Sequence, residues 1–164
     1  MPGFYINNVS LKIKLDNFDD NRCEQGRIEY NNFYIARNTL SKFLNDKLFF
    51  ETDEFIIVLE GIIFNKNQMM ENFENWEDSF IAMVCENPNE FFIKFRGMFS
   101  GAVYNKTSKE WNIFTDHLGA KAIFYYLKKD VMIIGSQLNY ITDTMKAMKI
   151  ERSIDLNGFK TYMM

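Results

Sequence analysis

The fold is decided by one continuous stretch, which runs from Phe95 to Tyr126 and reads FRGMFSGAVYNKTSKEWNIFTDHLGAKAIFYY. In this stretch, short runs rich in aromatic and β-branched residues alternate with polar turns. Residues of the first kind favour strands, whereas Asn, Asp, Gly and Ser favour tight turns. With the sequence that follows, the spacing predicts an antiparallel meander of four strands: Met98–Tyr104, Trp111–Thr115, Ala122–Leu127 and Val131–Gly135.

Upstream of the meander, the pattern predicts further strands. The run FIIVLEG, Phe55 to Gly61, is continuously apolar up to its glutamate, which is typical of a strand buried on both faces. A polar, turn-rich segment predicts a loop from Asp16 to Gly26. Helices between runs of sequential strands indicate an α+β fold with helices layered on antiparallel sheets. The other predicted strands are Phe4–Val9, Leu11–Leu15, Arg27–Tyr30 and Phe33–Ala36, and the predicted helices are Lys66–Phe73, Asp78–Cys85, Asn89–Arg96 and Ser136–Met148.

Composition and charge argue against several classes of protein. The chain has 164 residues, which fits one domain, and its 19 basic and 22 acidic residues form no long run of either sign. This balance argues against a nucleic-acid-binding surface. A membrane span is not expected either, because no stretch approaches about 18 consecutive apolar residues. The start lacks the pattern of a signal peptide, so we expect a cytoplasmic protein.

Candidate catalytic residues are few. His117 is the only histidine, and Asp116 beside it lies on the same predicted turn, where neighbouring side chains point apart, so we interpret His117 as a turn residue. We expect Cys85 in the core and Cys23 in an exposed loop, and neither has the CxxC spacing of a zinc site. The glycines form no phosphate-binding loop. The residues alone therefore predict no catalytic constellation.

Two motifs in the opening stretch carry a family resemblance. Its start matches a Leu-x-Gly-x-Phe-Ala motif through Phe95, Gly97 and Phe99. Its end matches an Arg-Asp-x-x-Gly-x-x-Pro-Leu-Tyr-Tyr segment through Asp116, Gly119 and the closing pair of tyrosines. On these motifs the chain resembles the glutaminase domain of asparagine synthetases and other class II glutamine amidotransferases.

The resemblance implies both a fold and a missing nucleophile. Such domains are N-terminal-nucleophile (Ntn) hydrolases, with a four-layer αββα sandwich of two antiparallel sheets. In the family, a cysteine exposed by loss of the initiator methionine attacks glutamine. This chain starts MPGF, so Pro2 occupies the nucleophile position while Gly3 and Phe4 keep the local pattern. Proline has no thiol and cannot form the thioester, so we expect no catalytic residue by the family route.

Other positions of the implied glutamine pocket have changed as well. The stretch LEGIIFN resembles the family's Asn-Gly-Glu-Ile-Tyr-Asn, with Glu60 for the oxyanion-hole Asn, Gly61 retained and Ile62 for Glu. Trp76 stands where the family has an Asp that binds the glutamine ammonium group, and its bulk is expected to fill the pocket. Arg37 is the candidate for the arginine that holds the substrate carboxylate.

The resemblance thus implies a catalytically inactive glutamine amidotransferase type 2-like domain over residues 1–150. Residues 151–164 are expected to begin a linker to an asparagine-synthetase-like ligase domain of the same chain, for which this pseudoenzyme domain acts as a scaffold. The domain itself needs no cofactor, whereas ATP and magnesium are implied for amide bond formation by the ligase domain.

Two other functions remain open at this stage. The chain could be a stand-alone module that binds a small molecule and regulates a partner. It could also be an enzyme that uses the secondary amine of Pro2 as a base or nucleophile. The expected partner is the synthetase domain, with a homodimer left open, and neither nucleic acid nor a membrane is expected as a partner.

Overall fold

A computed structural model describes residues 3–12, 23–151 and 153 of the protein. Its strands are β1 (Gly3–Asn7), β2 (Cys23–Tyr30), β3 (Phe33–Leu40), β4 (Leu48–Glu51), β5 (Phe55–Ile63), β6 (Gly97–Asn105), β7 (Glu110–Thr115), β8 (Phe124–Lys128) and β9 (Val131–Gly135). Its helices are α1 (Lys66–Met69), α2 (Trp76–Glu86) and α3 (Leu138–Ala147), with 3₁₀ turns at Leu44–Asp46 and Phe91–Lys94.

The strands form two antiparallel sheets. Sheet A has the order β2-β3-β1-β9-β8, and sheet B has the order β4-β5-β6-β7. Their inner faces pack on each other around apolar side chains such as Phe4, Ile35 and Ile56, all of which are completely buried. Alternate residues of each strand point to opposite faces, so the outer faces remain for the helices.

Helices cover both outer faces. On sheet A, Tyr140 and Ile141 of α3 pack against Tyr5 of β1, whose hydroxyl lies 2.6 Å from Thr144 Oγ1. Sheet B is covered by α2 and the Phe91–Lys94 turn. The resulting layers are helix, sheet, sheet and helix, which confirms the predicted α+β sandwich. Seven buried aromatic side chains belong to the cluster beneath α2: Phe55, Trp76, Phe80, Phe91, Phe95, Phe99 and Phe114.

Several local predictions differ from the structure. The predicted loop is wrong at its end, because Cys23–Gly26 belong to β2, where Gly26 pairs with Arg37. Of the predicted helix from Asn89 to Arg96, only the 3₁₀ turn at Phe91–Lys94 is present. Its aromatic residues gain more free energy from burial against sheet B than from a regular helix. Leu11 and Lys12 have no regular structure, and the rest of the strand predicted there lies outside the described residues, as do most of residues 151–164.

The prediction that Cys85 is a core residue is also wrong. The side of α2 that packs on sheet B carries Trp76, Phe80 and Val84, at the four-residue spacing of one helix face. Cys85 lies one residue further round the helix and is exposed, while Cys23 on β2 is half-buried. The start of α2 is capped by Asn75, whose side-chain oxygen accepts from the backbone N–H of Asp78.

Candidate functional site

A group of polar side chains lies at one end of the core between the two sheets. On β5, Val58 faces this core, and Glu60 follows on the same face because side chains alternate with a period of two. On β3, Ile35 faces the same core and Arg37 and Thr39 follow it in the same way. The two strands thus bring a carboxylate, a guanidinium group and a hydroxyl together where the apolar core ends.

The carboxylate of Glu60 is almost completely buried, with 6% of the residue exposed. Thr39 Oγ1 donates a hydrogen bond to Glu60 Oε2 at 2.7 Å, and Arg37 Nε lies 3.9 Å from Oε1. Within the described part of the chain, Oε1 accepts no hydrogen bond. Ser100 lies directly opposite Glu60 on β6, and its buried Oγ likewise has no partner there.

The surroundings of Glu60 disfavour its charge. Burial raises the pKa of the Glu60 carboxyl, against the opposing effects of the Thr39 hydrogen bond and of attraction to Lys47, Arg37 and Lys121. Burial also lowers the pKa of Arg37, although the charge of Glu60 acts in the other direction. Both charged groups therefore lose more hydration than their neighbours replace, which makes this pair a poor source of stability.

Glu60 forms part of the wall of a cavity of about 540 Å³. Of the positions that the sequence assigned to a glutamine pocket, Gly3, Gly61 and Ile62 line the same cavity, so one space connects β1 in sheet A with β5 in sheet B. The other polar residues in the wall are Ser100, Lys42, Lys47, Lys121, Ser136 and Gln137.

Two glycines in the wall are required by close packing. A Cβ atom on Gly3 would lie 2.1 Å from Ser136 Oγ, the atom that accepts a hydrogen bond from the backbone N–H of Phe4 at 2.9 Å. Gly61 has φ of +128°, and a Cβ atom there would lie 2.0 Å from the carbonyl oxygen of Met98. Larger residues would displace the backbone at both places and deform the cavity.

One side of the cavity is closed by the segment between β3 and β4. Lys47 Nζ donates hydrogen bonds to the carbonyl oxygens of Leu40 at 2.6 Å and Lys42 at 3.0 Å, which folds this segment back on itself. Burial lowers the pKa of Lys47, while the charge of Glu60 raises it. The ammonium group thus serves as a clamp and also contributes positive charge to the cavity.

The opposite side is closed by the turn after β7, which Asp116 organises. Its carboxylate accepts hydrogen bonds from the backbone N–H groups of Leu118, Ala120 and Lys121 at 3.0–3.1 Å, and from that of Phe99 at 3.3 Å. Burial acts to raise the pKa of Asp116, but these hydrogen bonds together lower it below its usual range. Asp116 is therefore a structural anion that positions Lys121 at the cavity.

His117 lies in the same turn, as predicted, with Nε2 3.1 Å from Arg96 Nη1. It is exposed and is not part of the cavity wall. The structure thus gives the chain's single histidine a surface contact and no link to Glu60.

The comparison with known families agrees with this arrangement. A family model described as a glutamine amidotransferase domain matches residues 45–143, which is more than half of the chain. The chain belongs to the glutamine amidotransferase domain family. No curated protein matches it. The match includes β5 and the whole meander, so the resemblance inferred from the sequence of the C-terminal half is confirmed at the level of this domain.

Three of the predicted pocket positions lie before the matched range of the glutamine amidotransferase domain. Pro2 is outside the described residues. Gly3 lines the cavity, whereas Arg37 lies behind its wall, with its guanidinium carbon 4.9 Å from the centre of the Phe49 ring. Among the described residues of the wall, Arg37 is linked to Glu60 by the ion pair and acts on Lys47 through its charge.

Trp76 lies away from the cavity, at the start of α2. Its ring packs edge-on against Phe80 at 5.8 Å between centroids, and its Nε1 donates to the carbonyl oxygen of Asp46 at 3.2 Å. It borders a neighbouring cleft that shares Lys47 with the cavity. Trp76 therefore does not fill this cavity, because its large apolar ring is buried in the cluster beneath α2.

Sequence reasoning missed the polar groups that complete the site of this glutamine amidotransferase domain. Thr39 was missed because β3 was predicted to end at Ala36, although its alternation with Ile35 and Arg37 continues to Leu40. Ser100 could have been found as the residue that pairs with Glu60 in the β5–β6 register. Lys47 and Lys121 lie in loops and carry no periodic signal.

The described residues contain neither a metal-binding cluster nor a helix suited to a membrane. No group of three or more His, Cys, Asp or Glu side chains among them could hold a metal ion. In the same part of the chain, no helix combines the length and apolar composition that crossing a membrane requires. The groups that give the cavity its chemistry are Glu60, Ser100 and the lysines.

Proposed function

We propose that this glutamine amidotransferase domain does not hydrolyse glutamine and that it acts as a scaffold for an asparagine-synthetase-like ligase domain. The observation that carries the proposal is the buried carboxylate of Glu60 in the cavity wall. Amide hydrolysis develops negative charge on the carbonyl oxygen, and the catalytic site must offer hydrogen-bond donors to it. A carboxylate in this place offers acceptors and repels the oxyanion.

Pro2 supports the same conclusion from the sequence. The family resemblance places the nucleophilic cysteine at this position, and proline supplies no thiol. The two changes act on different requirements of the reaction, the nucleophile and the oxyanion hole. Repairing one alone is therefore expected to leave the domain inactive.

The scaffold role rests on the resemblance and on an exposed apolar surface. The partner is the ligase domain, which brings ATP and magnesium for carboxylate activation, while this domain supplies no cofactor. The groove between edge strands β7 and β8 exposes Tyr125 (70%) and Leu127 (62%), and the turn before β8 exposes Leu118 (92%). Apolar side chains grouped in this way are typical of docking surfaces. Two unpaired cysteines fit a cytoplasmic protein.

The experiment is a measurement of ammonia release from glutamine by the wild type, by Pro2→Cys and by Pro2→Cys combined with Glu60→Asn. We expect no release by the wild type or by Pro2→Cys, with an active glutaminase as positive control. The double variant should release ammonia at a measurable rate, because the asparagine restores one oxyanion donor, whose absence costs roughly 10²-fold or more. Turnover by the wild type would overturn the proposed inactivity.

A second candidate function is a small-molecule-binding or regulatory module that uses the same cavity. Glu60 Oε1 and Ser100 Oγ favour it, because neither accepts a hydrogen bond from the described residues, whereas buried polar atoms nearly always form one in native proteins. The third reading, catalysis by the amine of Pro2, stays a prediction that no described contact supports.

A further inference from the structure

Two buried oxygen atoms in the cavity wall, Glu60 Oε1 and Ser100 Oγ, accept no hydrogen bond from the described residues, although Arg37 Nε lies 3.9 Å from Oε1. Glu60 and Ser100 are paired across β5 and β6, and both line the cavity. Glu60 is 6% exposed and Ser100 is fully buried, and neither Oε1 nor Oγ has a hydrogen-bond partner among the described residues. A ligand group that donates to both atoms would satisfy them at once. An ammonium group has the charge and the three donors to do so.

Apart from Glu60, the charged residues of the cavity wall are positive. Lys42, Lys47 and Lys121 line it, and Glu60 is the one acidic residue in the described wall. Lys47 uses two of its donors on backbone carbonyl oxygens and keeps a third. Lys121 is held by the turn that Asp116 organises. A carboxylate on the ligand would therefore meet a positive surface while its other end reaches Glu60.

The groups that the family resemblance assigns to the two α-substituents of glutamine are not in this wall. Trp76, at the position of the ammonium-binding residue, is buried beneath sheet B, and Arg37, the candidate carboxylate-binding residue, stacks on Phe49. The cavity thus lacks the clamp expected for an α-amino acid. Its donors and acceptors are instead divided between a single carboxylate and separate lysines.

We infer that the cavity binds a small ω-amino carboxylate, with its ammonium group on Glu60 and Ser100 and its carboxylate among the lysines. The volume of about 540 Å³ lies in the range of small-molecule sites and exceeds what such a ligand needs. The orientation is the reverse of that in a glutaminase, because a cation occupies the place of the oxyanion. The inference rests on the proposed loss of glutaminase activity.

The test is titration calorimetry of the full chain with β-alanine, 4-aminobutanoate and 5-aminopentanoate. Butanoate and butylamine serve as analogues that lack one charged end. We expect saturable binding of at least one ω-amino carboxylate and binding of both single-ended analogues weaker by about tenfold or more, since each loses one charge-assisted interaction. Glutamine is titrated in parallel.

Two variants make the assignment specific. Glu60→Gln keeps the size and the acceptor for Thr39 but removes the charge, and it should weaken binding about tenfold or more. Glu110→Gln, at the exposed start of β7, is the matched control and should bind like the wild type. Far-ultraviolet circular dichroism confirms that both variants fold.

The outcomes separate the inference from the proposed function. If no ω-amino carboxylate saturates, or if Glu60→Gln binds as tightly as the wild type, the inference is wrong, even where ammonia release remains absent and the proposed inactivity stands. Equal binding of butanoate and 4-aminobutanoate would also overturn it, since the lysines alone would then hold the ligand. Release of ammonia from glutamine would instead refute the proposed function.

Discussion

The two faces of β5 differ in what their side chains pack against. The outer face carries Ile57, Leu59 and Ile63, which join the aromatic cluster beneath α2. The inner face starts in the same manner with Ile56 but ends in the carboxylate of Glu60 at a cavity. The outer face is filled by packed apolar side chains, whereas the inner face ends in buried polar atoms, some of which make no hydrogen bond to the described residues. The difference indicates that the inner end contributes less to stability than the outer face.

The first prediction concerns a substitution that disrupts the aromatic cluster beneath α2. Phe80 is completely buried and its ring contacts those of Trp76, Phe91 and Phe95. Phe80→Ala should lower the free energy of unfolding by about 3–5 kcal/mol, through lost burial and the cavity that remains. Urea unfolding followed by fluorescence measures it. Ile93→Ala is the control, since Ile93 is 47% exposed, and an equal loss in both variants would contradict the role of the cluster.

The next prediction concerns the turn that presents Lys121 to the cavity. Asp116→Asn should cost about 2–3 kcal/mol at pH 7, because an amide replaces a buried carboxylate that accepts four backbone N–H groups. The pKa of Asp116 is lowered by folding, so its contribution is present above the ordinary carboxyl pKa and is lost as the pH falls.

Denaturant unfolding between pH 3 and pH 7 tests this prediction. The difference between wild type and Asp116→Asn should narrow at low pH, below about 4, where the wild-type carboxylate takes up its proton. A difference that stays constant over the whole range would show that the charge of Asp116 does not hold the turn.

How much of this the sequence predicts depends on the kind of signal. The strands of the meander and β5 follow from alternation and turn residues, which act locally, and the structure has them within a few residues of the predicted bounds. The position of Trp76 could not be predicted, since a change from a polar family residue to a large apolar one is compatible with filling the pocket or leaving it. The position of Ser100 opposite Glu60 depends on the register between β5 and β6, which no local pattern contains.

The smallest effect on stability is expected for Trp76→Phe, which tests whether the packed outer side of β5 is independent of the cavity on its inner side. Trp76→Phe keeps an aromatic ring in the cluster but removes the hydrogen bond from Nε1 to the carbonyl oxygen of Asp46. We expect a loss of about 1 kcal/mol in the free energy of unfolding and unchanged ligand binding. A variant that alters binding by calorimetry while keeping its stability would place Trp76 in the cavity after all.

We expect the charge of Glu60 to lower the stability of the fold. Folding raises its pKa, so its favourable contribution is complete below the ordinary carboxyl pKa and is lost as the pH rises through the folded value. In the variant Glu60→Gln, the uncharged amide side chain resembles the protonated carboxyl group at every pH and keeps the hydrogen bond from Thr39. Attraction to Arg37, Lys47 and Lys121 opposes this effect, but burial outweighs it.

The direct measurement is the thermal unfolding midpoint of wild type and Glu60→Gln at pH 8 and pH 4, without ligand. We expect Glu60→Gln to unfold at a higher temperature than the wild type at pH 8, and the two midpoints to converge at pH 4. A lower midpoint for Glu60→Gln at pH 8 would show that the ion pair with Arg37 stabilises the fold, and it would contradict this expectation.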